Sequence, residues 1–118
     1  MSRVLYIEDM KECYYQTKKV FGDKTRVCWV KKITPEFYEK IIKHLGKYDK
    51  VIVDVNLDYS QPETEEGIEV IKELRKESPN LEIICISSEN KKEKALKAGA
   101  DKFMYKKQFW EESGKQKR

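Results

Sequence analysis

The sequence predicts a doubly wound α/β fold, and three observations carry the prediction. Short, continuously apolar runs alternate along the chain with segments whose apolar residues recur at helical spacing. The apolar runs lack polar alternation, so the strands they form have no wet face and belong to a parallel sheet covered by helices on both sides. The length of 118 residues suits one core, whereas a closed eight-unit barrel takes roughly 250 residues.

The first strand is Val4-Leu5-Tyr6-Ile7, after which Met10, Cys13, Tyr14, Thr17, Val20 and Phe21 repeat at helical spacing until Gly22. Arg26 to Val30 is rich in β-formers. Thr34 and Pro35 then supply an N-cap and a first-turn proline ahead of Phe37, Ile41, Ile42 and Leu45, with Gly46 as terminator. The third strand, Val51-Ile52-Val53, runs on through Asp54-Val55. After a polar loop, Ile68, Ile71 and Leu74 mark a helix that ends near Ser78-Pro79-Asn80. Leu81 to Ile86 forms the fourth strand. Asn90 and Glu93 have capping-box spacing, Ser88 is a further candidate cap, and Ala95, Leu96 and Ala98 give the fourth helix a thin apolar face before Gly99. Phe103-Met104-Tyr105 makes a short last strand, and Phe109-Trp110 opens a short or truncated last helix. Right-handed crossovers favour a five-stranded sheet of flavodoxin-like order 2-1-3-4-5, with its switch point between the first and third strands.

Composition narrows the function. Hydrophobic residues make up 39% of the chain and charged residues another 39%, enough apolar material for a folded domain. No apolar run approaches the roughly 20 residues of a membrane helix. Met1-Ser2-Arg3 leads into the first strand without a cleavage-site pattern, so the cytoplasm is the expected location. No repeat or linker divides the chain, and residues 1–118 are expected to form one domain with no output domain. The three cysteines, Cys13, Cys28 and Cys85, lack C-x-x-C spacing and sit in apolar segments, which suggests buried thiols. His44 is the only histidine and is expected on a helix surface. The net charge of +4 comes from interspersed signs, except at the solvated tail Lys115-Gln116-Lys117-Arg118, and does not point to direct nucleic-acid binding.

In open α/β sheets, ligands sit beyond the carboxyl ends of the strands at the switch point. The first strand ends there in Glu8-Asp9, the third in Asp54, the fourth in Ser87-Ser88 and the last in Lys106-Lys107. A carboxylate inside Val-Ile-Val-Asp-Val is costly unless it is exposed at the rim, neutralised or metal-bound. Adjacent first and third strands bring Glu8, Asp9 and Asp54 together, and three like charges require a counter-charge. Mg²⁺ answers that requirement, because it prefers carboxylates, a carbonyl and waters and can still bind a phosphoryl oxygen. Lys106 adds a point charge and Ser87 a hydroxyl donor for a phosphoryl group in transfer, with Asp54 as nucleophile. Each residue also has a plainer reading. Asp9 with Glu12 has N-cap spacing, a strand-end serine often caps the next helix, a lone lysine is usually surface and Phe103 is usually core. It is the joint placement at four strand ends that favours a site.

These residues resemble the receiver domains of two-component response regulators, nearest to the single-domain chemotaxis and sporulation-relay types. The resemblance covers about Val4 to Phe109. It rests on Ile7-Glu8-Asp9, Val53-Asp54-Val55-Asn56, Ile86-Ser87-Ser88-Glu89 and the run Ala98-Gly99-Ala100-Asp101-Lys102-Phe103-Met104-Tyr105-Lys106. It implies that Asp54 accepts a phosphoryl group from a phosphohistidine on a sensor histidine kinase or phosphotransfer protein. Asp9, Asp54 and the carbonyl of Asn56 would hold Mg²⁺, with Glu8 acting through a water. Ser87 would move toward the phosphoryl group, Phe103 would turn inward, and Lys106 would pair with phosphoryl oxygens. Asn56 and Glu89 would occupy the flanking positions that tune dephosphorylation.

The resemblance further implies output to a downstream protein target through the surface of the fourth helix, fifth strand and fifth helix, in a monomer or weak dimer. The lightly anchored fourth helix is the natural bistable element. Three features depart from the family pattern, one being a final segment, Phe109 to Arg118, that is shorter and more polar than a full last helix and argues against dimerisation through that surface. Asp58 replaces a usual proline at the start of a longer, acidic loop that runs to Glu66, and Lys107 replaces the proline that normally follows the lysine. A non-proline cis bond costs about 3 to 4 kcal/mol, so a trans, rearranged junction is expected at Lys107. The leading reading is a phosphoacceptor switch, not an enzyme acting on free substrates. The alternative is a degenerate receiver-like interaction module that works without phosphorylation. A small aspartyl phosphatase is disfavoured, because no second aspartate lies two residues beyond Asp54 and no cap insertion could bind a substrate.

Overall fold

The computed structural model describes residues 2–7, 11–21, 25–30, 35–55 and 65–116. Along the chain they form β1 (Ser2–Ile7), α1 (Lys11–Phe21), β2 (Thr25–Val30), α2 (Pro35–Lys43), β3 (Lys50–Asp54), α3 (Glu66–Glu77), β4 (Glu82–Ser87), α4 (Lys92–Ala98), β5 (Lys102–Tyr105) and α5 (Lys106–Gln116). The strands make one parallel sheet in the order β2-β1-β3-β4-β5, as the crossover argument expected. Met10, Gly22, Thr34 and most of the acidic loop, 58–64, lie outside the described residues, as do the side chains of Glu12, Val20, Cys28 and Phe37.

Strand alternation splits the core into two layers. Leu5 and Ile7, Val51, Val53 and Val55, and Ile83 and Cys85 pack with Ile41 of α2, Ile68, Ile71 and Leu74 of α3, and Ala95 and Ala98 of α4. Val4 and Tyr6, Ile52, and Ile84 and Ile86 pack on the opposite face with Cys13 of α1 and Phe109 of α5. Both faces of the central strands are therefore dry, and polar chemistry is confined to their ends. Cys13 and Cys85 are buried and form no disulfide, and His44 is exposed. No described helix is long and apolar enough to cross a membrane.

The structure corrects several local expectations. The apolar pattern through Leu45 does not extend α2; instead Leu45–Lys47 tighten into a 3-10 turn that keeps Leu45 buried. Leu96, expected on the apolar face of α4, is 42% exposed, because Ala95 and Ala98 alone meet the core. Asn90 Oδ1 accepts from the Lys92 amide at 3.2 Å, so the cap bond closes on the first helical residue without a box to Glu93. The last helix is not truncated. It starts at Lys106, directly after β5, and spans 11 residues, as many as α1. The cause is tertiary: Phe109 is 3% exposed beside Phe21, and Trp110 Nε1 donates to the buried Thr17 hydroxyl of α1 at 3.1 Å. Among the described residues no peptide bond is cis, so the Lys106–Lys107 bond is trans, as expected from the missing proline.

Arg75 of α3 fastens the amino ends of β4 and β5. Its guanidinium donates to the carbonyls of Gly99, Pro79 and Leu81, each at 2.8 Å, and to Asp101 Oδ2 at 2.7 Å. Gly99 has a φ of +119°, and a Cβ there would meet the Arg75 side chain. Asp101 Oδ2 also accepts the Ile83 amide at 2.8 Å. Partial burial opposes ionisation of Asp101, but the Ile83 amide and Arg75 more than offset it and hold the carboxyl below its usual value. Such a group stabilises the fold above its unfolded pKa, about 3.9, and loses that contribution as pH falls through the lower folded value. Asp101→Asn is expected to cost about 1 kcal/mol at pH 7. In urea denaturation the gap to wild type should close as pH drops below about 4.

Candidate functional site

β3 lies between β1 and β4, with Val53 opposite Ile7 and Asp54 opposite Ile86. Asp54 ends the strand at 1% exposure, a position that desolvates a carboxylate and demands a partner. The partner is Lys106, whose Nζ lies 2.6 Å from Asp54 Oδ2 and whose side chain is itself largely buried. Lys106 reaches the site because α5 begins without an intervening loop after Tyr105, the register partner of Ser87. Cys85 lies beneath. Burial, with the Asp54 charge adding to it, pushes the Cys85 thiol up to about 12, so it stays protonated and cannot compete as a nucleophile.

Ser87 ends β4 and is fully buried. Its Oγ accepts the Glu89 amide at 3.1 Å, which turns the chain out of the strand. The Glu89 side chain points outward, its carboxylate 3.6 Å from Lys91 Nζ and 70% exposed. Ser88 is exposed. Phe103 sits opposite Cys85 in β5, half-buried against the α3–α4 side of the core. Its ring contacts Tyr105 edge-on at 5.5 Å, and Tyr105 is 42% exposed.

Asp54 and Lys106 are thus in direct contact, Ser87 lies on the adjoining strand end with the Glu89 amide bonded to it, and Phe103 lies farther back in β5, opposite Cys85. Glu8, Asp9 and Asn56 lie outside the described residues, and among the described residues no three His, Cys, Asp or Glu side chains converge on a metal position. Of the expected metal ligands Asp54 alone is described, and its carboxylate is of the oxygen type that a hard divalent cation takes. The buried Asp54 carboxylate offers oxygen ligands only, at the end of a strand paired with the residue that directly precedes Glu8.

Two residues escape a reading of the sequence alone. The Gly67 amide donates to the Val55 carbonyl at 2.9 Å. A Cβ at that position would overlap the Asp54 carbonyl oxygen and lie 2.7 Å from Val55 Cα, so α3 can seat against the Asp54 backbone only with glycine there. A lone glycine in the first turn of an apolar-periodic helix was the available signal. Glu65, just before α3, pairs with two lysines across the α3–α4 boundary, and no sequence pattern announced it. Gly67→Ala is expected to destabilise the fold by about 1–3 kcal/mol, measured by urea denaturation, because backbone cannot yield as a side chain can.

Comparison with known proteins bears on the fold and the family. The chain is similar to a response regulator from Thermotoga maritima, with 21% identity, a TM-score of 0.74, and coverage of 98% of this chain and 93% of that one. A CheY-like response regulator receiver domain protein from Methanospirillum hungatei JF-1 is 18% identical with a TM-score of 0.69, covering 98% of each chain. A receiver domain protein from Clostridium thermocellum is 16% identical with a TM-score of 0.72, covering 99% of this chain and 97% of that one. These likenesses establish the fold. No curated protein matches the chain. Residues 4–113 match the response regulator receiver domain, and the chain belongs to that family, the receiver class of two-component signalling.

Proposed function

We propose that this receiver is a phosphoacceptor switch, taking a phosphoryl group onto Asp54 from a phosphohistidine of a sensor histidine kinase or phosphotransfer protein. The observation that carries the reading is the buried Asp54 carboxylate at the carboxyl edge of the sheet, 2.6 Å from Lys106 Nζ. A buried ion pair is a poor source of stability compared with apolar packing of the same volume, so its placement at the switch point argues for chemistry.

An Asp54 carboxylate oxygen bonds to phosphorus as the phosphorus–nitrogen bond breaks. The imidazole leaves with that electron pair and takes a proton from solvent. The product is an acyl phosphate on Asp54. Lys106 neutralises phosphoryl oxygen charge, and the Ser87 hydroxyl supplies a further donor. Asp9, Asp54 and the Asn56 carbonyl would hold Mg²⁺, with Glu8 acting through a water. When bound, the ion supplies charge neutralisation for the phosphoryl oxygens. Asn56 and Glu89 flank the site and tune hydrolysis. Output passes through Ser87 and Phe103 to the α4-β5-α5 surface and on to a protein target. In this reading residues 1–118 act as one receiver unit in the cytoplasm, as a monomer or weak dimer. It handles protein partners, without acting directly on nucleic acid or on free phosphate esters.

Incubation with acetyl phosphate and Mg²⁺ is expected to add one hydroxylamine-labile phosphoryl group by intact mass. Chelation of Mg²⁺ should abolish the gain, and so should Asp54→Asn with its fold retained. Labelling of Asp54→Asn at the wild-type rate would refute Asp54 as acceptor. A folded wild type that never labels would instead favour a phosphorylation-independent interaction module.

A further inference from the structure

The β4–α4 connection is tied to the frame around Asp54 by one acidic side chain. Glu65 Oε1 accepts from Lys94 Nζ at 2.8 Å, and Oε2 lies 3.4 Å from Lys91 Nζ. The Glu65 side chain is only 19% exposed. The Lys94 hydrogen bond, helped by Lys91 and opposed by burial, holds its carboxyl below the usual range. Glu65 also has a φ of 48°, the only positive φ outside glycine among the described residues. Such backbone strain persists only where the surroundings over-determine it.

The two sides of this tie differ in how firmly they are held. α3 buries Ile68, Val70, Ile71 and Leu74, and its Gly67 is seated on the Asp54 backbone. The seven-residue α4 buries only Ala95 and Ala98, and its N-cap residue Lys91 makes no side-chain capping bond. Between Ser87 and α4 lies the short segment 88–91, and its last residue, Lys91, is one of the two that Glu65 grips. Ser87 is joined to this segment by the Glu89 amide, which donates to Ser87 Oγ at 3.1 Å, and that bond couples the serine to it.

We infer that Glu65 is a positioning residue, a latch that holds segment 88–91 and α4 through Lys91 and Lys94 and so opposes the displacement of Ser87 toward a phosphoryl group on Asp54. The inference rests on the phosphoacceptor reading. On this inference phosphorylation strains the latch, and the latch lowers the apparent affinity of the site for a phosphoryl group.

The test is titration of the full chain with beryllium trifluoride and Mg²⁺, followed by amide NMR. Glu65→Gln is expected to bind the analogue roughly fivefold more tightly than wild type. Lys91→Met/Lys94→Met should do the same, and combining the two sets should add little. Glu69→Gln, which breaks the exposed Glu69–Lys72 pair, should leave affinity unchanged. Without the analogue, the amides of α4 should exchange faster in Glu65→Gln. A merely structural role would weaken binding or leave it unaltered, so equal or weaker affinity in Glu65→Gln against a binding wild type overturns the latch alone. A wild type that binds no analogue overturns the phosphoacceptor reading, and the coupling with it.

Discussion

The contact between Asp54 and Lys106 constrains most of what surrounds it. A carboxylate at the end of a strand with both faces dry can persist only beside a countercharge, and removing one partner of such a pair typically costs about 3–5 kcal/mol. Lys106 can serve because β5 passes into α5 without a loop, which delivers the ammonium group to the strand end. That junction in turn depends on Phe109 and Trp110, which pin α5 to α1 several residues farther on. On the other side, Gly67 allows α3 to meet the Asp54 backbone directly. The site is thus assembled from contacts that begin well away from it.

Rigidity is unevenly distributed around this centre. Branched aliphatic side chains of β1, β3, β4 and α3 form a closely packed frame, and Arg75 secures the start of β4 and β5 through several charge-assisted bonds. α4 has two buried alanines and depends more on polar ties. A packed core yields in discrete steps, whereas an element held by a few ion pairs moves at small cost. This contrast sets a firmly packed strand end beside a lightly held helix.

Much of this was legible in the linear sequence. Continuous apolar runs marked the strands, because a strand buried on both faces admits no polar alternation. Asp54, Ser87 and Lys106 stood out because each interrupts or ends such a run, and the topological rule for open sheets placed them at one edge. Strand order followed from crossover handedness. These are local patterns or general constraints on chain path, and both survive folding intact.

Other features depended on which surfaces met. Leu96 looked like core but faces solvent, since helical spacing marks a stripe without showing how wide the covering surface is. The last helix looked truncated because Lys106 and Lys107 read as loop; the buried partners of Phe109 and Trp110, distant in sequence, make it helical from Lys106 onward. Gly67 is required by the approach of one backbone to another, and Glu65 by lysines that lie 26 and 29 residues farther along the chain. The sequence by itself determined the element types, their order and the identity of the charged strand ends. The tertiary structure alone decided which helix is held by packing and which by charge, because that depends on distances between segments that no local pattern encodes.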